Sequence, residues 1–229
     1  MKNIIQFFLI AASFAAHAQI QQGMKTDTIA EKYTNIETVV INDKDYEKVD
    51  YSYGLKQEIN NRLKIGNSPS TYEMGLEFKN NLRQKGRISN VVLFLHKTDS
   101  DYKLVDLEIN FYKIDALTGK PREKLNTQQI IYTPKNKKRT NVKINVENYH
   151  IPFPEEGVLV AVRWLHDGIK DKDIGPSVRL TTYKEILTYT RYDEKIGWGA
   201  FSLSRKPGIY TNLMMGLEVY IKKKKDSRE

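Results

Sequence analysis

Six aromatic residues crowd one late stretch of the chain: Tyr183, Tyr189, Tyr192, Trp198, Phe201 and Tyr210. Tyr and Trp bury a large apolar area while keeping a polar handle. Rings exposed on a sheet edge or loop can therefore stack on sugar faces or anchor a protein partner. Trp198 stands in a turn between Gly197 and Gly199, where exposure is expected, and Tyr189, Tyr192 and Tyr210 are its companion candidates for a ligand-binding surface. Trp164 lies in the most apolar run of the chain and is expected in the core instead.

Residues for bond-making chemistry are harder to assemble. Past the first eighteen residues the histidines are His96, His150 and His166, with no i, i+4 pair and no HExxH pattern. The Asp167-Gly168-Ile169-Lys170-Asp171-Lys172-Asp173 stretch carries oxygen ligands on an irregular segment, which suits a hard cation such as Ca²⁺ at Asp167, Asp171 and Asp173. It lacks the EF-hand spacing and terminal glutamate, and lysines interrupt it, so a solvated loop without a cofactor is expected. Glycoside hydrolysis needs two carboxylates across a cleft. Glu77, Glu108 and Glu218 fall on expected strands, but one sequence cannot set them opposite each other. The chain has no cysteine, which removes thiolate catalysis and Cys-type zinc sites, and it shows no GxSxG elbow, phosphate loop or dinucleotide fingerprint. The reading is non-catalytic, with a carboxylate-dependent hydrolase as the minority alternative.

The N-terminus points to export. Lys2 supplies a positive start, Ile4 to Phe14 form an apolar core broken only by Gln6 and Ser13, and Ala16-His17-Ala18 is a small-x-small cleavage pattern. The apolar run falls short of the about 20 residues a retained span requires. Residues 1–18 are thus read as a signal peptide and Gln19 as the mature start, which also lacks the cysteine of a lipoprotein. The periplasm, the outer-membrane surface and the extracellular space are the compartments this implies. No stretch of the mature chain reaches transmembrane length. Asp27-Thr28-Ile29 resembles the short Asp-Thr/Ser-aliphatic sequon used for O-glycosylation in some exported bacterial proteins.

The net charge of +9 invites a polyanion reading, carried by Lys135-Asn136-Lys137-Lys138-Arg139 and Lys222 to Lys225. In an exported protein, nucleic acid is not the expected partner. Solvated lysines in a hairpin and a tail are the plain reading. Docking on anionic surfaces through Lys135, Lys137, Lys138 and Arg139 is the alternative.

These residues need elements to position them. Residues 19–70 read as an N-terminal extension with one strand at 36–41 and a short helix over 54–65, where Leu55, Ile59 and Leu63 recur every four residues. Gly66-Asn67-Ser68-Pro69-Ser70 breaks the pattern. From residue 71 to 222 the pattern is β, followed by a basic tail at 223–229. In 104–114, Val105, Leu107, Ile109 and Phe111 alternate with Asp106, Glu108 and Asn110, which predicts one buried face and one wet face. Val158 to Leu165 is nearly all apolar and predicts a central strand covered on both sides. Further strands are expected at 88–95, 128–133, 140–146, 178–183, 186–192 and 213–221. Their short lengths and Gly, Pro, Asn and Lys breaks predict an all-β fold, an antiparallel, jelly-roll-like β-sandwich.

The segment from Gly75 to Ile221 resembles a β-sandwich module of exported bacterial carboxypeptidase-like regulatory-domain proteins. The residues that carry the resemblance are Glu77-Phe78, the 105–112 strand, the Thr118-Gly119-Lys120-Pro121 turn, the basic hairpin 135–139, Val162-Arg163-Trp164, the tyrosine-rich 183–192 and Gly216 to Tyr220. The resemblance implies a sandwich without peptidase activity and supplies no catalytic residues. The expectation is an exported module that binds a glycan or an envelope protein.

Overall fold

The period-two alternation of 104–114 becomes a strand because successive side chains on an extended backbone point to opposite faces. In the computed structural model, which describes residues 45–52, 64–65, 72–166, 173–193 and 195–223, this stretch forms a long strand of one of two main sheets, beside that sheet's central strand. The strands in chain order are β1 (Tyr46–Ser52), β2 (Lys64–Ile65), β3 (Glu73–Phe78), β4 (Gly86–Leu95), β5 (Lys103–Leu104), β6 (Asp106–Ile114), β7 (Pro121–Lys124), β8 (Ile131–Tyr132) and β9 (Thr140–Asn145). There follow β10 (Pro152–Phe153), β11 (Val158–Leu165), β12 (Ile174–Gly175), β13 (Val178–Tyr183), β14 (Thr188–Arg191), β15 (Gly199–Ala200), β16 (Ser204–Lys206), β17 (Ile209–Leu213) and β18 (Met215–Lys222).

The first sheet runs β1-β18-β4-β13-β17-β16, with β9 and β10 also on β4 and β2 on β13; the second runs β15-β14-β3-β11-β6-β7, with β8 on β6. All pairs within these two sheets are antiparallel, as expected for a chain without long helical crossovers. The two-residue pair of β12 with β5 is parallel and departs from that expectation. Only Met214 separates β17 from β18, so one bent run pairs first with β13 (Leu213 opposite Leu180) and then with β4 (Met215 opposite Leu93).

The core lies between the sheets. Val158, Val160, Val162 and Trp164 of β11 meet Leu107, Ile109 and Phe111 of β6 and Met74, Leu76 and Phe78 of β3, facing Ile88, Leu93, Leu217 and Val219 of the first sheet. Trp164 is fully buried and donates its indole N–H to the Pro176 carbonyl at 2.8 Å. β11 is the central strand that its apolar run predicts.

Two readings need correction. Lys64–Ile65 is not the end of a helix: it pairs as a strand with Arg179 and Val178. Together with β1 on β18, it adds to the first sheet from inside the stretch read as an extension. The expected wet face of β6 is also closed, since Glu108 and Asn110 are only 2% and 1% exposed. Residues 1–44, with the leader, the 36–41 strand and the Asp27-Thr28-Ile29 tripeptide, lie outside the described residues, as do most of 54–65, the 66–70 breaker, Asp167, Asp171 and the tail beyond Lys223. Among the described residues, no helix is long and apolar enough to cross a membrane.

Candidate functional site

The outer face of the second sheet carries an organised polar array instead of a solvated surface. Strand register sets Arg191 of β14 opposite Glu73 of β3, Glu73 opposite Arg163 of β11, and Arg163 opposite Glu108 of β6. The charges alternate across four strands because cross-strand neighbours of opposite sign attract at this spacing. Arg191 Nε donates to Glu73 Oε2 at 2.7 Å, and Arg163 Nε donates to Glu108 Oε2 at 2.7 Å, with Lys124 Nζ 3.5 Å from Glu108 Oε1. Glu73 also accepts Asn110 Nδ2 at 2.6 Å and the Tyr112 hydroxyl at 3.0 Å, while Arg191 donates to the Tyr112 oxygen at 2.7 Å. A carboxylate only 2% exposed is tolerable because these donors replace its water. Both acids spend their oxygens on donors within the face.

The next cross-strand row is Tyr189, Gly75, Ala161 and Asn110. Its small central residues let neighbouring side chains lie across the sheet. A Cβ at Gly75 would come 2.8 Å from Leu159 Cγ and 2.9 Å from the Val160 carbonyl, so the strand needs glycine there. Tyr112, Ile114, Leu159 and Ala161 form a second, smaller apolar cluster on this outer face, and Tyr189 and Trp198 pack against it.

Trp198 is therefore not the freely exposed turn residue that its two glycines predict. Its ring meets Tyr112 edge-on, with centroids 5.1 Å apart at 66°, and the Arg191 guanidinium lies 4.8 Å from its centroid. It is half-buried between exposed Gly197 and Gly199, and its indole N–H has no hydrogen-bond partner. Of its expected companions, the fold brings Tyr189 to the same cluster. Tyr192, 60% exposed, lies against Tyr72 with centroids 5.1 Å apart, and Tyr210 sits in the first sheet opposite Tyr183. Burial, with a smaller push from Tyr192, raises the Tyr72 hydroxyl to about 12.

Beside this cluster lies an open depression of about 490 Å³, bounded by Glu77, Asn80, Arg83, Ile114, Asp115 and Glu155 among others. Glu77 links the two features, because it is hydrogen-bonded to Tyr189. Burial pushes the Glu77 carboxyl above the usual carboxylate range, and Lys79 and the Tyr189 hydroxyl recover only part of that shift. Asn80 is 5% exposed; its Nδ2 donates to the Gln84 and Pro154 carbonyls at 2.7 and 2.8 Å, and its Oδ1 has no partner. Asp115 is held below the usual range, first by the Thr118 amide and hydroxyl.

At another part of the surface, Lys137, Lys138 and Arg139 line an open depression with Lys97, and Lys135 is exposed beside them. This stretch is not the expected hairpin but a crossover between the sheets, since β8 pairs with β6 and β9 with β4. Asp173 is exposed, and no group of three or more His, Asp or Glu among the described residues could hold a metal ion. The histidines are used locally: His96 Nδ1 lies 2.9 Å from the Lys97 carbonyl, and Arg87 lies 3.2 Å from His150 Nδ1.

Sequence reasoning overlooked Glu73, Asn110, Tyr112 and Arg191, the residues that hold Trp198 in place. Their signal is present for Glu73, since Met74, Leu76 and Phe78 alternate with Glu73, Gly75 and Glu77, but the strand pattern does not tell which strands lie beside it. No family model, curated protein or solved structure matches the chain, so the likeness to carboxypeptidase-like regulatory-domain proteins rests on the sequence motifs alone.

Proposed function

We propose that this chain is a non-catalytic binding module of the cell envelope that recognises a glycan through the outer face of its second sheet. The observation that carries the reading is the junction at Tyr189. Its ring packs in the cluster with Trp198, while its hydroxyl bonds to Glu77 on the wall of the neighbouring depression. A sugar needs an apolar ring face for its C–H groups and a mixture of donors and acceptors for its hydroxyls. Trp198 supplies ring surface, and the neighbouring depression supplies donors and acceptors from Glu77, Asn80, Arg83 and Asp115. Clamping by Tyr112 and Arg191 fixes the indole before a ligand arrives, which reduces the ordering cost of binding. The leader-like N-terminus supports an envelope setting.

The test is a glycan-array screen of the full chain beside Trp198→Ala and Asn80→Ala. Binding that wild type shows and both variants lose supports the assignment. Equal array profiles for wild type and both variants would remove this face as the recognition surface.

A further inference from the structure

The basic loop between β8 and β9 stands at a second concave feature, and its chemistry differs from that of the Trp198 face. The 97–101 turn after β4 and the loop before β9 are tied together: the Thr98 amide donates to the Lys137 carbonyl at 2.9 Å, and Lys137 Nζ donates to the Ser100 carbonyl at 2.5 Å. They enclose an open depression of about 550 Å³ lined by Lys97, Thr98, Asp99, Lys137, Lys138 and Arg139, with Ser100. Four cations thus surround one carboxylate. Lys97 and Lys138 have no carboxylate partner among the described residues, and the positive charges outnumber the one carboxylate, an excess that an added anion would relieve.

Two buried groups separate this from an ordinary solvated lysine turn. Thr98 is 3% exposed and belongs to the lining of the depression; its hydroxyl is buried behind that lining, beside Gly175, and makes no hydrogen bond. Its methyl is seated against Gly175, where an added Cβ would come 2.5 Å from Thr98 Cγ2, so the side chain is held in place. Nearby, Arg179 is 6% exposed; it donates to Asn141 Oδ1 and stacks 5.1 Å from the Phe94 centroid, both neutral groups. Burial first, and then Arg139, lower its pKa, which shows the two guanidiniums to be electrostatic neighbours.

We infer that this depression is a binding site for a phosphate-type oxyanion, with Lys97, Lys138 and Arg139 as its charge partners and the Thr98 hydroxyl as its buried donor. A tetrahedral anion offers several acceptor oxygens on one compact charge. That matches a set of separate ammonium donors plus a hydroxyl better than a planar carboxylate does. The phosphate could belong to a lipid headgroup or to a soluble phosphate ester. The site does not depend on the glycan-binding reading of the Trp198 face.

Calorimetric titration of the full chain with inorganic phosphate, against chloride at matched ionic strength, tests it. Wild type should bind phosphate in preference to chloride. The exposed pair Lys97→Gln/Lys138→Gln should weaken phosphate binding about tenfold, and Thr98→Val about threefold, while Trp198→Ala leaves it unchanged. A thermal melt of each variant reports its folding, and the lysine pair, being exposed, keeps the test valid should Thr98→Val unfold. Sedimentation with phosphatidylglycerol vesicles then assigns the source: pelleting that phosphate competes away marks a lipid headgroup, and phosphate binding without pelleting marks a soluble ester. Equal phosphate affinity in wild type and the folded lysine-pair variant, or no preference for phosphate over chloride, overturns the inference.

Discussion

Arg191 and Glu73, 118 residues apart in the chain, meet at 2.7 Å on a sheet face closed to water, with side chains 12% and 2% exposed. The pair joins β14 to β3 and supports Tyr112 and Trp198 above it. A guanidinium in this position is both counterion and packing surface.

Replacing Arg191 by Met should destabilise the fold by about 3 kcal/mol, because Glu73 would keep its burial and lose its cation. Urea denaturation measures the loss. The double variant Arg191→Met/Glu73→Gln should recover part of it, since the stranded charge is then gone. A double variant as unstable as the sum of the two singles would show that the pair does not couple.

The two tryptophans should separate cleanly. Trp164→Ala removes a fully buried ring and its bond to Pro176 and should cost about 4 kcal/mol. Trp198→Ala removes a half-buried ring from a satellite cluster and should cost about 1 kcal/mol. Denaturation midpoints of the two variants check the ranking, and a larger loss at Trp198 would contradict it.

Glu77→Gln should stabilise the protein at neutral pH by up to about 1 kcal/mol after allowance for solvent screening. Burial raises the Glu77 carboxyl in the folded state, so the folded chain holds that proton more tightly than the unfolded chain. Well below the unfolded value both states are neutral at this position and the substitution changes little. The advantage of Gln should grow as pH rises through the folded-state value. Stability curves of both proteins from acid to neutral pH would show the divergence.

Glu218 should behave in the opposite sense. Burial would raise its carboxyl, but Lys143 and Lys48, at 2.6 and 2.7 Å, outweigh that and lower it. Its contribution is present above the unfolded carboxylate value and disappears as pH falls through the folded one. Glu218→Gln should cost about 1 kcal/mol at neutral pH, the lysines being largely exposed, and the difference should shrink with acid and with salt. An unchanged gap in high salt would show that the carboxylate acts through Asn90, its other partner at 2.9 Å, rather than through charge.

The sequence alone determined the β class, the central place of Val158 to Leu165 and the burial of Trp164. These follow from local rules: side chains alternate along a strand, and a strand covered on both faces must be apolar on both. What covers a face is a long-range matter. Asp106, Glu108 and Asn110 alternate with apolar neighbours and read as the wet side of β6, yet Glu108 and Asn110 are closed off with partners from β3, β7 and β11. The candidate site was legible in part. Tyr189 and Trp198 were visible as residue types, but that they share a cluster while Tyr192 turns to Tyr72 and Tyr210 joins the other sheet was decided by strand order. Register placed Glu73 between Arg191 and Arg163. Pairing between strands distant in sequence leaves no local mark, because each strand records only how its own two faces differ and not which strand lies beside it.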